Sequence, residues 1–158
     1  MYKRILLASD GTRESLVALR EGALIARALR AEAFLLIIEV TSVGYTVADS
    51  VYPVPRDQTT LLPLLDLGLG RLRRLGVTAT GEVVAGEPAQ CIAARAHAFS
   101  ADLIVVGHRR RTLVERWWSG PSGAYLVDRV PCSVLVARDF ITDEEFECYL
   151  QQQAAERA

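Results

Sequence analysis

The sequence predicts a three-layer α/β domain, an open parallel five-stranded sheet covered by helices on both faces, with an extra helix at the C-terminal end. Three observations lead there. The chain has 158 residues, and at roughly 100 to 200 residues per domain that is room for one domain and a short appendage. Its composition, 51% hydrophobic and 23% charged, sits close to the globular norm of about 45 to 50% and about 25%, which excludes disorder across the chain. Short unbroken apolar runs alternate along it with segments of helical period. Unbroken runs mark strands buried on both faces, and such strands belong to parallel sheets whose crossover helices cover both sides.

Ile5-Leu6-Leu7-Ala8 is the first buried strand, stopped by Ser9-Asp10-Gly11-Thr12. Leu16, Leu19, Ala23 and Ala26 then recur at helical spacing, with Arg13, Arg20, Arg27 and Arg30 mostly off that stripe. Phe34-Leu35-Leu36-Ile37-Ile38 is the second strand. Thr41 to Thr60, with Gly44, Pro53 and Pro55 and little periodicity, reads as a long loop able to serve as a lid. Leu61, Leu65, Leu69 and Leu72 restore the helical spacing over Leu61 to Leu75. There Pro63 is tolerated in a first turn, Gly76 is a stop, and Gly68 and Gly70 weaken the helix locally.

Val77 to Ala85 is strand-like but broken at Gly81, and Gly86-Glu87-Pro88 opens an amphipathic helix carrying Ala89, Ile92, Ala93, Ala96 and Phe99. Leu103-Ile104-Val105-Val106 is the fourth strand, ending at Gly107. A helix is expected around Gly123 to Val130, and Ser133-Val134-Leu135-Val136-Ala137 closes the core as an edge strand. Residues 1 to 138 thus form the domain, and 139 to 158 an acidic helical extension. In the extension Thr142 and Glu145 fit a capping box, and Ile141 and Phe146 a hydrophobic staple. Phe146, Tyr149 and Leu150 share a face with no evident home in a complete five-stranded domain. This helix is therefore expected to dock on the body or on a partner chain, and Gln151 to Ala158 to fray.

Charge and cysteine usage narrow the function classes. The net charge is −1, but residues 139 to 158 carry −5 and residues 1 to 138 carry +4. That is too mild and scattered for a general nucleic-acid binder, with Arg109-Arg110-Arg111 the local exception. Cys91, Cys132 and Cys148 stand alone, without a C-x-x-C pair or a histidine at metal spacing, so buried inert thiols are expected and neither a disulfide framework nor a metal site. No apolar run approaches the roughly 18 residues of a membrane span, and the opening residues meet Ser9-Asp10-Gly11 too soon for a signal segment. A cytoplasmic location, with no membrane partner, is the expectation.

In an open parallel sheet the ligand crevice lies outside the carboxyl ends of the strands, where the strand order reverses. Two loops have the right character, Ser9-Asp10-Gly11-Thr12 and Gly107 to Gly123, so the reversal is expected between the strands they follow. Asp10 suits a ribose hydroxyl, an adenine amine or a hydrated Mg²⁺; it suits a plain turn equally well. Walker A and the dinucleotide glycine fingerprint are absent. Ser119-Gly120-Pro121-Ser122-Gly123 misses the nucleophile elbow, because position 124 is alanine. His97 reads as a helix-surface residue and His108 as the better placed ligand contact. No general acid/base pair stands out, so no catalytic residue is assigned. Trp117-Trp118 suits an interaction surface or burial under a loop.

Four blocks now bear a family resemblance: Ile5-Leu6-Leu7-Ala8-Ser9-Asp10-Gly11-Thr12, Gly86-Glu87-Pro88-Ala89, Ala101-Asp102-Leu103-Ile104-Val105-Val106-Gly107, and Val130-Pro131-Cys132-Ser133-Val134-Leu135-Val136. In this order and spacing they resemble a universal stress protein domain, over nearly all of residues 1 to 138. The resemblance implies a flavodoxin-like sheet of the adenine-nucleotide-hydrolase type. It also implies a stress-response regulatory module, and a homodimer paired through Ser133 to Ala137. Nucleotide-binding members carry G-x2-G-x9-G-[ST] after the fourth strand, cradling ATP phosphates. Here Gly107 and Gly120 keep the first and third glycines, whereas Arg110 replaces the second and Pro121 the hydroxyl residue.

Arg110 crowds such a cradle and Pro121 removes an N–H donor, although a guanidinium can itself hold phosphate and Pro121 suits a helix start. The crevice candidates on the strand ends are Ala8, Ser9, Asp10, Ile38 and Val106, with adenine near Asp10 and Ile38. On the loop they are Gly107, Arg110, Gly120, Ser122 and Gly123, for phosphate. The leading expectation is a dimeric binding module with a degenerate nucleotide motif. A regulatory ATP or AMP, with Mg²⁺ and at most slow hydrolysis, is the alternative, and an unrelated small α/β hydrolase or transferase the third.

Overall fold

The computed structural model describes residues 1–11, 13–40, 58–107, 126–137 and 141–156. Five parallel strands, β1 (Arg4–Ser9), β2 (Glu32–Val40), β3 (Ala79–Gly86), β4 (Leu103–Gly107) and β5 (Ser133–Ala137), form one sheet in the order β3-β2-β1-β4-β5. The helices are α1 (Arg13–Leu29), α2 (Gln58–Arg74), α3 (Pro88–Phe99), α4 (Leu126–Arg129) and α5 (Asp143–Glu156). The unbroken apolar runs divide by parity, as period-two geometry demands. Ile5, Leu7, Leu35, Ile37, Leu103 and Val105 enter the core under α1, α2 and α5. Leu6, Ala8, Leu36, Ile38, Ile104 and Val106 enter the core under α3 and α4.

Two local readings change. Gly81 does not break β3, which runs through it in register with Leu35. A Cβ there would lie 2.4 Å from the Leu35 carbonyl oxygen and 2.9 Å from Leu65 Cδ1, so this glycine lets α2 sit close over the sheet. Gly68 works the same way from the helix side, where a Cβ would meet Leu35 Cδ2 at 2.4 Å. Pro63 is not in a first turn. α2 starts at Gln58 and passes through the proline, because the buried faces of Leu61, Leu65, Leu69 and Leu72 outweigh one forfeited backbone bond. Most of the expected lid, residues 41 to 57, lies outside the described residues, as do 121 to 125 of the helix expected around Gly123.

The strand starts are tied together by Asp102, whose two carboxylate oxygens accept the backbone N–H of Lys3 (2.7 Å) and of Arg4 (3.1 Å). Glu87 caps α3, accepting from the N–H of Ala89 and Gln90.

At α5 the capping box forms as expected. The Thr142 N–H donates to Glu145 (2.8 Å), and the Glu145 N–H to the Thr142 hydroxyl (3.1 Å). The helix continues to Glu156 and does not fray at Gln151. Its apolar face has a home after all: Phe146 and Leu150 are fully buried in the core of this same body, and only Tyr149 stays exposed. The reason is Arg20. Four residues after Leu16 and three before Ala23, it joins the buried face of α1 and does not lie off the stripe as expected. Its side chain is only 7% exposed, pairs with Asp143 at 3.0 Å and donates to the Ile141 carbonyl at 2.5 Å. That polar tie fixes α5 across α1 and α2.

Candidate functional site

The strand order reverses between β1 and β4, where the polar and glycine-bearing ends were expected. The two strands run parallel with Ala8 opposite Val106. Ser9-Asp10-Gly11 and Gly107 therefore leave the sheet side by side, and their separation opens the crevice. The β1 end is built as a fixed turn. The buried Ser9 hydroxyl accepts the Gly11 N–H at 3.1 Å and lies 2.7 Å from the buried Ser15 hydroxyl on α1. Gly11 holds φ +72°, a left-handed conformation that a side chain would strain. α1 opens two residues later, so its first N–H groups, which lack intrahelical partners, begin beside this turn.

The structure places six of the ten candidate residues at the ends of β1, β2 and β4. Ala8, Ile38 and Val106 are buried within one apolar cluster, so they close the floor with their side chains inside the core. Ile38 is thus a core residue first. Ser9 is buried, Asp10 nearly so, and Gly107 is half-buried at the end of β4, opposite Ala137. Arg110, Gly120, Ser122 and Gly123 lie outside the described residues, as do His108, Arg109, Arg111, Trp117, Trp118 and Pro121. His97 is exposed, its Nε2 3.2 Å from the Arg129 carbonyl, which ties α3 to α4.

Among the described residues no group of three or more His, Cys, Asp or Glu side chains could cage a metal ion. Asp10 offers one carboxylate, the kind of donor that a hydrated Mg²⁺ held mainly by phosphate oxygens takes. The thiols are less buried than expected: Cys91 and Cys132 are half-buried and Cys148 is exposed. Burial pushes the Cys91 thiol above its ordinary pKa, with the Glu87 carboxylate adding to the rise. Burial raises Cys132 as well, helped by Asp102. Among the described residues no helix is long and apolar enough to cross a membrane.

The role of Arg20 was not evident from the sequence, although its place between Leu16 and Ala23 on the apolar face was the available signal. For Asp102 the signal was an acid just before a buried strand.

The model of the universal stress protein family matches residues 1–138. A search of curated proteins finds no match. Among solved structures, a universal stress protein in complex with cAMP is 23% identical with TM-score 0.63, over 87% of this chain and 98% of that one. The universal stress protein UspA from Lactobacillus plantarum is 27% identical with TM-score 0.54, over 87% and 98%. One from Archaeoglobus fulgidus in complex with dAMP is 15% identical with TM-score 0.58, over 85% and 97%. With an all-parallel sheet that reverses between β1 and β4 and a family match over residues 1–138, the chain belongs to the universal stress protein family.

Proposed function

We propose that the chain is a regulatory binding module of the stress response, working in the cytoplasm as a homodimer paired through β5. Its β1–β4 crevice holds an adenine nucleotide weakly or not at all. The observation that carries this reading is the asymmetry of the crevice. The β1 side is a locked turn of Ser9, Asp10, Gly11 and Ser15, suited to recognition and devoid of an acid/base pair. On the phosphate side, the sequence puts Arg110 where the family's cradle has glycine and Pro121 where it has a hydroxyl.

A second reading, an ATP- or AMP-responsive module with Mg²⁺, is favoured by the structural neighbours in complex with cAMP and dAMP. In that case Asp10 holds the nucleoside end and Arg110 replaces lost amides with a charge-assisted contact. Calorimetry with MgATP and AMP separates the two. The first reading expects no sub-micromolar binding, and tightening in the Arg110→Gly, Pro121→Ser double variant. The second expects tight wild-type binding that Arg110→Ala weakens by about 1.5 to 3 kcal/mol.

A further inference from the structure

α5 touches the body along one stripe, as a bound ligand would. Three arginines on α1 and α2 read that stripe. Arg20 takes the Ile141 carbonyl and Asp143. Arg71 lies 3.8 Å from Asp143 and 3.3 Å from Glu147, with its guanidinium 5.7 Å from the centre of the Phe146 ring. Arg74 takes the other Glu147 oxygen at 3.3 Å. Phe146 and Leu150 are buried, while Glu144, Glu145, Cys148, Tyr149, Gln151 and Gln152 face solvent. The recognised residues, 143, 146, 147 and 150, are spaced i, i+3, i+4, i+7, which is one face of a helix.

The fit is incomplete. A cavity of about 20 Å³ remains among Leu7, Leu35, Leu64 and Phe146, bordered by Arg20 and Arg71. Both arginines bury their Nε groups, and among the described residues neither has a hydrogen-bond partner. A buried guanidinium N–H without an acceptor is costly, so an occupant offering one more acceptor would hold the groove better than α5 does. The charges are complementary as well, −5 on residues 139 to 158 against +4 on residues 1 to 138.

We propose that the α1–α2 groove is a receptor for an acidic amphipathic helix, occupied in this chain by its own α5, and that a partner protein presenting an Asp-x-x-Phe-Glu-x-x-Leu face with a further acceptor for these guanidinium N–H groups enters by displacing it. This surface is independent of the nucleotide crevice and of the function proposed for it.

The test keeps the full chain. A protease site at residues 139 and 140 allows the tether to be cut after folding. The freed helix is expected to stay with the body at low salt, to leave as salt screens the arginine pairs, and to be replaced by a fluorescent peptide of residues 141–156. A peptide carrying Asp143→Lys and Glu147→Lys should bind at least tenfold more weakly, and an Arg71→Glu, Arg74→Glu body should recover it. Loss of the fold when the helix leaves, no uptake of peptide by a folded cut chain, or equal binding of both peptides would overturn the proposal. Hydrogen exchange on the uncut chain is a second measurement. The α5 amides should open more readily than those of β1 and β4, and equal protection refutes a displaceable helix. Exchange of α5 between differently labelled uncut copies, with a doubled mass, would give the groove to a second copy and overturn the partner reading.

Discussion

Arg20 carries a full charge into an apolar layer, where the desolvation cost rivals the attraction of its partner. It persists because Asp143, half exposed, keeps contact with water while the Ile141 carbonyl takes a second N–H. The cysteines show the opposite balance. Burial holds Cys91 and Cys132 in the thiol form beyond the ordinary range. Since their folded values lie above the unfolded ones, the folded state grips these protons more tightly. That contribution to stability is complete below the ordinary thiol range and drains away as pH climbs through the raised values. Alkylation followed by mass spectrometry should therefore mark Cys148 first at neutral pH, with Cys91 and Cys132 gaining reactivity only in more alkaline solution. Labelling of all three at one rate in the folded chain would contradict this account.

α5 tests whether an element can be held by two anchors and a cap. Phe146→Ala removes one anchor, and a buried Phe→Ala change costs about 3 to 5 kcal/mol. Hydrogen exchange should place that loss in α5, with the amides of β1 and β4 still protected. Global melting at unchanged α5 protection would show the helix inseparable from the body. The capping box of this helix was legible in sequence because its partners, Thr142 and Glu145, are close neighbours along the chain. The helix's docking site was not, since Arg20 precedes Ile141 by 121 residues and nothing local marks which arginine of a helix will meet a distant partner. Gly81 misled for a related reason. As a local signal it reads as a break, and its purpose lies in Leu65 on another element. The sheet itself was legible, because strands buried on both faces announce themselves as unbroken runs. The strand-end half of the crevice followed from it.

At the scale of the molecule the sheet has two edges, β3 and β5. On β5, Val134, Leu135 and Val136 are only half-buried, and an apolar edge of that kind invites pairing. With Phe146 and Leu150 committed to their own core, the dimer proposed above would rest mainly on the strand. Light scattering at micromolar concentration should give about twice the 17.3 kDa chain mass, as expected for a two-fold pair. Val134→Lys or Leu135→Lys should return a folded monomer. A wild type that stays monomeric would remove β5 as the seam. One feature of the sheet also bears on how the chain is made. Asp102 clamps the amides of Lys3 and Arg4, and β1 lies in the middle of the sheet with β4 along one side. During synthesis β1 emerges from the ribosome before the other strands of the sheet, yet it stands with one flank bare until Leu103–Gly107 has followed. β2 can pair with it early, and β3 with β2, but the flank that β4 will cover is an unpaired apolar edge throughout. The nascent chain is therefore most exposed to aggregation in the interval that ends when the segment bearing Asp102 is released.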